Sequence, residues 1–188
     1  CHCRWCQRES GAAFALNAMI EADRVELLAD TPAMVHTPSE SGLGQKIARC
    51  PHCQVAVWSH YAGAGHLMAF VRVGTLDAPD HLPPDIHIFT ASKQPWVVLP
   101  PGAPAVAEYY EREGLWPAQS IARRQAMLPR IQAYRAAAGL DRTAGSVAAA
   151  GGGRARGAGS LETGPRRPLR AFSSSFWSFW PLALDRHA

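Results

Sequence analysis

Five cysteines carry the chemistry most legible in this 188-residue chain: Cys1, Cys3 and Cys6 in CHCRWC, and Cys50 and Cys53 in CPHC. Thiolates arranged tetrahedrally at about 2.3 Å suit a zinc ion. A CxxC turn aims two sulfurs at one point. A CxC on extended backbone sends both side chains to the same side, because strand side chains alternate with period two. The first group combines both spacings, and Pro51 stiffens the turn of the second. An odd count in close pairs fits a secreted disulfide framework poorly. It fits thiolates sharing a metal in a reducing compartment. Zinc is therefore the expected cofactor, and the cytoplasm the expected location.

Spacing alone leaves two arrangements open. Cys3, Cys6, Cys50 and Cys53 could form one ribbon-like site, which strands Cys1 and spans a gap of 43 residues between the pairs. Alternatively, Cys1, Cys3 and Cys6 form a triad with an open fourth position, and Cys50 and Cys53 form a half-site whose partners lie elsewhere. His2 and His52 lie inside the two knuckles and suit supporting or exposed roles better than ligand roles, since thiolates are at hand. His66 and His87 are candidate general bases, with ordinary loop positions as the simpler reading. Arg4 and Arg8 flank the triad and could attract carboxylates. The sequence offers no phosphate loop, no Ser/His/Asp order and no paired carboxylates.

The elements that must hold these groups read as short strands. With 47% hydrophobic and only 18% charged residues, the chain can bury a core and is poor in long ion-paired helices. Apolar residues from Phe14 to Leu27, then Met34–His36, Gln54–Ser59 and Leu67–Val73, form short runs broken by Gly, Pro, Asp and Ser. Seven prolines between residues 79 and 104 predict an extended loop, with His87–Ile88–Phe89 as one short edge strand. A helix is expected from about Pro117 to Ala138, stopped by Gly139 and kinked or split at Pro129. No run reaches the 18 or so apolar residues of a membrane span. Residues 1–140 carry 12 basic and 12 acidic side chains, so the net +4 belongs to the Arg-rich remainder, 7 basic against 3 acidic. A folded nucleic-acid binder shows its basic stripe in the domain itself, so nucleic acid is not an expected partner. From residue 141 onward the Ala/Gly/Arg composition predicts disorder.

Four blocks taken together carry a resemblance: CHCRWCQRESGAAFALNAMI, RCPHCQVAVWSH, VRVGTLDAP and HIFTASKQPWVVLP. They are similar, in order and approximate spacing over about residues 1–104, to the GFA/centromere-protein-V domain family, whose founding members are described as glutathione-dependent formaldehyde-activating enzymes. The resemblance implies a mainly β, β-tent-like zinc domain over 1–104; residue pattern and composition add a loop and helical extension over 105–140 and a low-complexity tail over 141–188. It further implies that Cys1, Cys3 and Cys6 match the CxCxxC of an open, active-site zinc. Cys50 and Cys53 match the CxxC of a structural zinc whose upstream CxC partner does not occur in this sequence. The structural site is thus expected to be half present, and the chain to be a fragment less stable than a complete domain. His87, inside HIFTASKQPW, becomes the histidine to test for a catalytic role. The implied activity is that of a carbon–sulfur lyase on a glutathione, or similar thiol, adduct of formaldehyde or another small aldehyde. The alternative is a non-catalytic, zinc-stabilised interaction module.

Overall fold

A computed structural model describes residues 1–141 of the chain; the expectation of a disordered tail concerns residues outside that range. The described part is mainly β with a C-terminal helix. In chain order the elements are α1 (Arg4–Ser10), β1 (Asn17–Glu21), β2 (Ala33–Thr37), β3 (Gln45–Arg49), β4 (Ala56–Tyr61), β5 (Met68–Arg72) and α2 (Ala118–Ala137). All five strands join one antiparallel sheet in the order β1-β5-β4-β3-β2. Strands β2 to β5 follow one another as neighbours, while β1 enters beside β5.

The register decides which side chains meet. Val35, Ile47, Ser59 and Phe70 lie opposite one another across four strands, as do His36, Lys46 and His60 across three. Because alternate residues point to opposite faces, these two rows lie on opposite sides of the sheet. Ile47 and Ser59 are fully buried, as are Ala48 and Ala69. Burying one Ile side chain is worth roughly 1.5–3 kcal/mol. The small Ala48 and Ala69 let neighbouring backbone approach. A β-bulge between Ala48 and Arg49 ends the regular β3–β4 ladder just before the CPHC turn.

Among the strands, two segments differ from the sequence expectation. β3, QKIAR, escapes the apolar-run reading because Lys46 and Arg49 frame only two apolar residues, both of which are buried. Val25 and Leu27 follow a 3₁₀ turn (Ala22–Arg24) and lie outside any strand. The prolines between 79 and 104 do produce a loop wrapped over the body. His87 forms an isolated parallel bridge with Ala105, and Phe89 N–H donates to the Glu108 carbonyl at 2.9 Å.

α2 stops one residue before Ala138 and is followed by Gly139 at φ +69°. It runs unbroken through Pro129. The expected break does not occur because Pro129 is exposed: the carbonyl it leaves unpaired can be met by water on the solvent side. Arg123 forks onto Glu21, with Nε–Oε1 at 2.7 Å, and Arg130 reaches Asp23 at 3.1 Å, tying α2 to the end of β1. Arginines seven apart fall on one helix face. Arg123 holds the Glu21 carboxyl down at about 2. One turn beyond Arg130, Tyr134 packs over Gly65, where an added Cβ would overlap the phenol ring.

Candidate metal centre

Backbone pairing sets the first knuckle. Ala15 N–H donates to the Cys1 carbonyl at 3.0 Å, the Cys1 amino group donates to the Ala15 carbonyl at 2.8 Å, and His2 N–H donates to the Ile88 carbonyl at 2.9 Å. Residues 1–3 are therefore extended, and Cys1 and Cys3 project to one side. The chain then turns into α1, with Cys3 as its N-cap: its Sγ accepts the Cys6 N–H at 3.4 Å. Gly11, at φ +66°, closes the helix by donating to the Gln7 carbonyl at 2.9 Å. One helical turn brings Cys6 back, and the sulfurs of Cys1, Cys3 and Cys6 lie within 4.8 Å of one another. Tetrahedral sulfurs at the usual zinc distance stand about 3.8 Å apart, so three soft donors at this spacing fit the ion. They form the one group of three or more potential ligands among the described residues.

The surroundings are dry and charged in a useful sense. Cys3 and Cys6 are buried and Cys1 half-buried, packed with Ala15, Trp5 and Phe89. Hydrogen bonding to Cys6, with help from the Cys6 and Trp5 backbone N–H groups, pulls the Cys3 thiol down to about 6 against the opposing effect of burial. The Cys6 thiol is pushed up, by its hydrogen bond to Cys3 and by burial. Without metal the pair thus shares one proton, which stays on Cys6 while Cys3, at the start of the helix, takes the charge. Burial and then Cys3 push the Glu40 carboxyl up, and burial and then Cys6 push the Tyr61 phenol up, so both groups stand by the sulfurs.

α1 is clamped in place by polar side chains from distant sequence. Glu9, buried, accepts from Arg49 Nη2 at 2.9 Å and Arg72 Nη2 at 2.7 Å; Arg72 also donates to Asn17 and to Ser59. Gln7 uses its whole amide, donating to the His2 and Ser92 carbonyls and accepting from Arg4 and Gln94. Phe89 reaches the cysteine cluster through a left-handed backbone, φ +55°, unusual for a bulky residue and held by the 104–108 segment.

The other candidates fall as follows. His87 is not in the sulfur group. Its Nδ1 meets His2 Nε2 at 3.2 Å, both rings are buried, and the second nitrogen of each has no partner among the described residues. Burial, and then the nearby positive amino terminus, lowers both imidazoles, His2 to about 4, so the pair is neutral at pH 7. Cys50 is half-buried and Cys53 exposed, on a turn closed by Gln54 N–H to the Cys50 carbonyl at 3.0 Å, with Gln54 at φ +61°. No third ligand candidate joins them among the described residues, and the four-cysteine ribbon is not assembled. His52 points instead to Asp30 at 2.7 Å on the surface. Glu40, Tyr61, Arg72 and His2's pairing with His87 went unread in the sequence; none shares a local motif with the cysteines.

The fold and the site together describe a small β domain that gathers three thiols where they could hold a metal ion. Residues 1–92 match the sequence model of the family described as glutathione-dependent formaldehyde-activating enzyme, and this segment belongs to that family. No curated protein matches the chain.

Proposed function

We propose that the chain is a zinc-dependent carbon–sulfur lyase acting on a thiol adduct of a small aldehyde, with glutathione and formaldehyde as the first pair to test. The observation that carries this reading is the three-thiol group itself: soft donors at zinc spacing, two buried and one half-buried, the one such group among the described residues. Cys1, Cys3 and Cys6 would hold the ion, and a bound zinc would supply a coordination position at which a substrate thiol loses its proton. In the adduct-forming direction the thiolate sulfur bonds to the carbonyl carbon. The C=O π pair moves to oxygen, which takes up the proton the thiol gave up, leaving the S-hydroxymethyl product. Lysis is the reverse. The chain contributes a dry wall of Trp5, Phe89 and Ala15, and the Arg72 charge near Cys6 favours the anionic sulfurs. His87, paired to neutral His2, is suited to orient the wall rather than to carry charge. Cys50 and Cys53 are read as half of a structural zinc site. The cytoplasm is the proposed location on the strength of five free cysteines; no helix among the described residues is long and apolar enough to cross a membrane.

The test combines zinc analysis with proton NMR of glutathione and formaldehyde exchange. Catalysed exchange that follows zinc content and vanishes in Cys3→Ser supports the lyase. Zinc bound at full occupancy with exchange no faster than without protein supports the interaction module.

A further inference from the structure

The sheet face turned away from α1 carries a cavity of about 490 Å³ at the end of the β2–β3–β4 ladder, walled on one side by α2. This is within the range of small-molecule sites. Its lining contains no carboxylate, yet four basic side chains converge there: His36, Lys46, His60 and His66. His36, Lys46 and His60 are direct cross-strand neighbours and so share this face by register. His60 is already spent, donating from Nδ1 to the Met68 carbonyl at 2.7 Å and accepting Trp58 Nε1–H at 3.1 Å. The Lys46 ammonium and the His36 imidazole have no hydrogen bond or ion pair among the described residues; the His66 ring meets only the Tyr134 edge, centroids 5.6 Å apart. The rest of the wall is mainly apolar, with Met34, Leu43, Ala62 and the Tyr134 ring, alongside the Gln45 and Tyr61 side chains.

Two glycines show that these walls are fitted closely. A Cβ on Gly44, at φ +79°, would collide with the His36 imidazole, and one on Gly65, at φ +54°, with the Tyr134 ring. Both rings therefore lie against bare backbone and stand where they do because nothing larger than glycine is beneath them. A cation without a counter-ion, two free imidazoles and a mainly apolar concavity together select one ligand chemistry.

We propose that this cavity binds a small organic anion, a carboxylate on an aromatic or branched apolar body. Lys46, His36 and His66 receive the carboxylate, and Met34, Leu43 and Tyr134 receive the body. The site uses none of the cysteines, and the proposal stands whether or not the lyase reading holds.

The probe is 2-naphthoate, titrated calorimetrically and by Trp58 fluorescence into the full chain, with and without chelator. 2-Naphthamide serves as the uncharged isostere and inorganic phosphate as the bare anion. Naphthoate is expected to bind equally in both metal states and about tenfold or more tighter than naphthamide, the worth of a charge-assisted hydrogen bond. Lys46→Met should remove that difference, and Lys46→Arg should keep most of it. Lys46 is exposed, so both variants should fold; thermal melts check this, and Lys46→Gln replaces any that does not. Equal binding of naphthoate and naphthamide, an unchanged Lys46→Met, or phosphate binding as tightly as naphthoate would each overturn the proposal.

Discussion

The two cysteine turns begin from similar sequence and end in opposite surroundings. CHCRWC enters a helix, loses its sulfurs to the interior, and is held by Gln7, Glu9 and the 87–92 loop. CPHC stays at the surface, with Cys53 exposed and His52 facing Asp30. One guanidinium touches both: Arg49 donates to Glu9 of α1 and, through Nη1, to the Gln54 carbonyl beside Cys53 at 2.9 Å. The lesson is that CxxC spacing specifies a turn, while burial and second contacts decide whether that turn is a preorganised site or one that must still recruit its partners.

The largest expected effect attacks the buried turn directly. Cys3→Ser should lose the exchangeable metal and reduce adduct turnover by at least about 100-fold, since even residues outside a metal's ligand set commonly cost 10–100-fold. Metal content and NMR exchange rate measure it; a variant that retains both would remove Cys3 from the site. Next, Glu9→Gln leaves Arg72, 11% exposed, without its buried carboxylate. Breaking a buried pair costs about 3–5 kcal/mol, and the partial exposure of Arg49 places this one at the lower end. Urea unfolding of the metal-free chain gives the value, and a loss under about 1 kcal/mol would show that α1 is held by other contacts.

A third contrast is electrostatic. In metal-free protein, thiolate ultraviolet absorbance should rise with a midpoint of about 6, and this phase should be missing in Cys3→Ser. The sign follows from the depressed acid: Cys3 is anionic above that pH, neutral below it, and the stability linked to the charge is lost as pH falls through it. A first midpoint near the ordinary thiol value would contradict the helix-start environment. The smallest effect belongs to the exposed turn. In chelator, Cys53→Ser should shift stability by no more than about 0.5 kcal/mol, as surface substitutions do. With zinc added, the wild-type melt should rise and that of Cys53→Ser should rise less. Equal zinc responses would deny CPHC any share in a structural site.

The sequence by itself determined what is local. Cysteine spacing, the proline-rich loop, the α2 stop at Gly139 and most strands follow from residue type and period. α1 was hidden because its N-cap is a cysteine rather than Ser, Thr, Asp or Asn, and its helix is only about two turns long. β3 was hidden because charged ends frame two buried apolar residues. What only the tertiary structure decided are meetings of residues far apart: His2 with His87, Glu9 with Arg49 and Arg72, Glu40 and Tyr61 with the sulfurs, and the row of His36, Lys46 and His60. A turn is fixed by the torsions of three or four neighbours. These pairings are fixed by sheet register and by loop closure over tens of residues, and no short window of sequence contains that information.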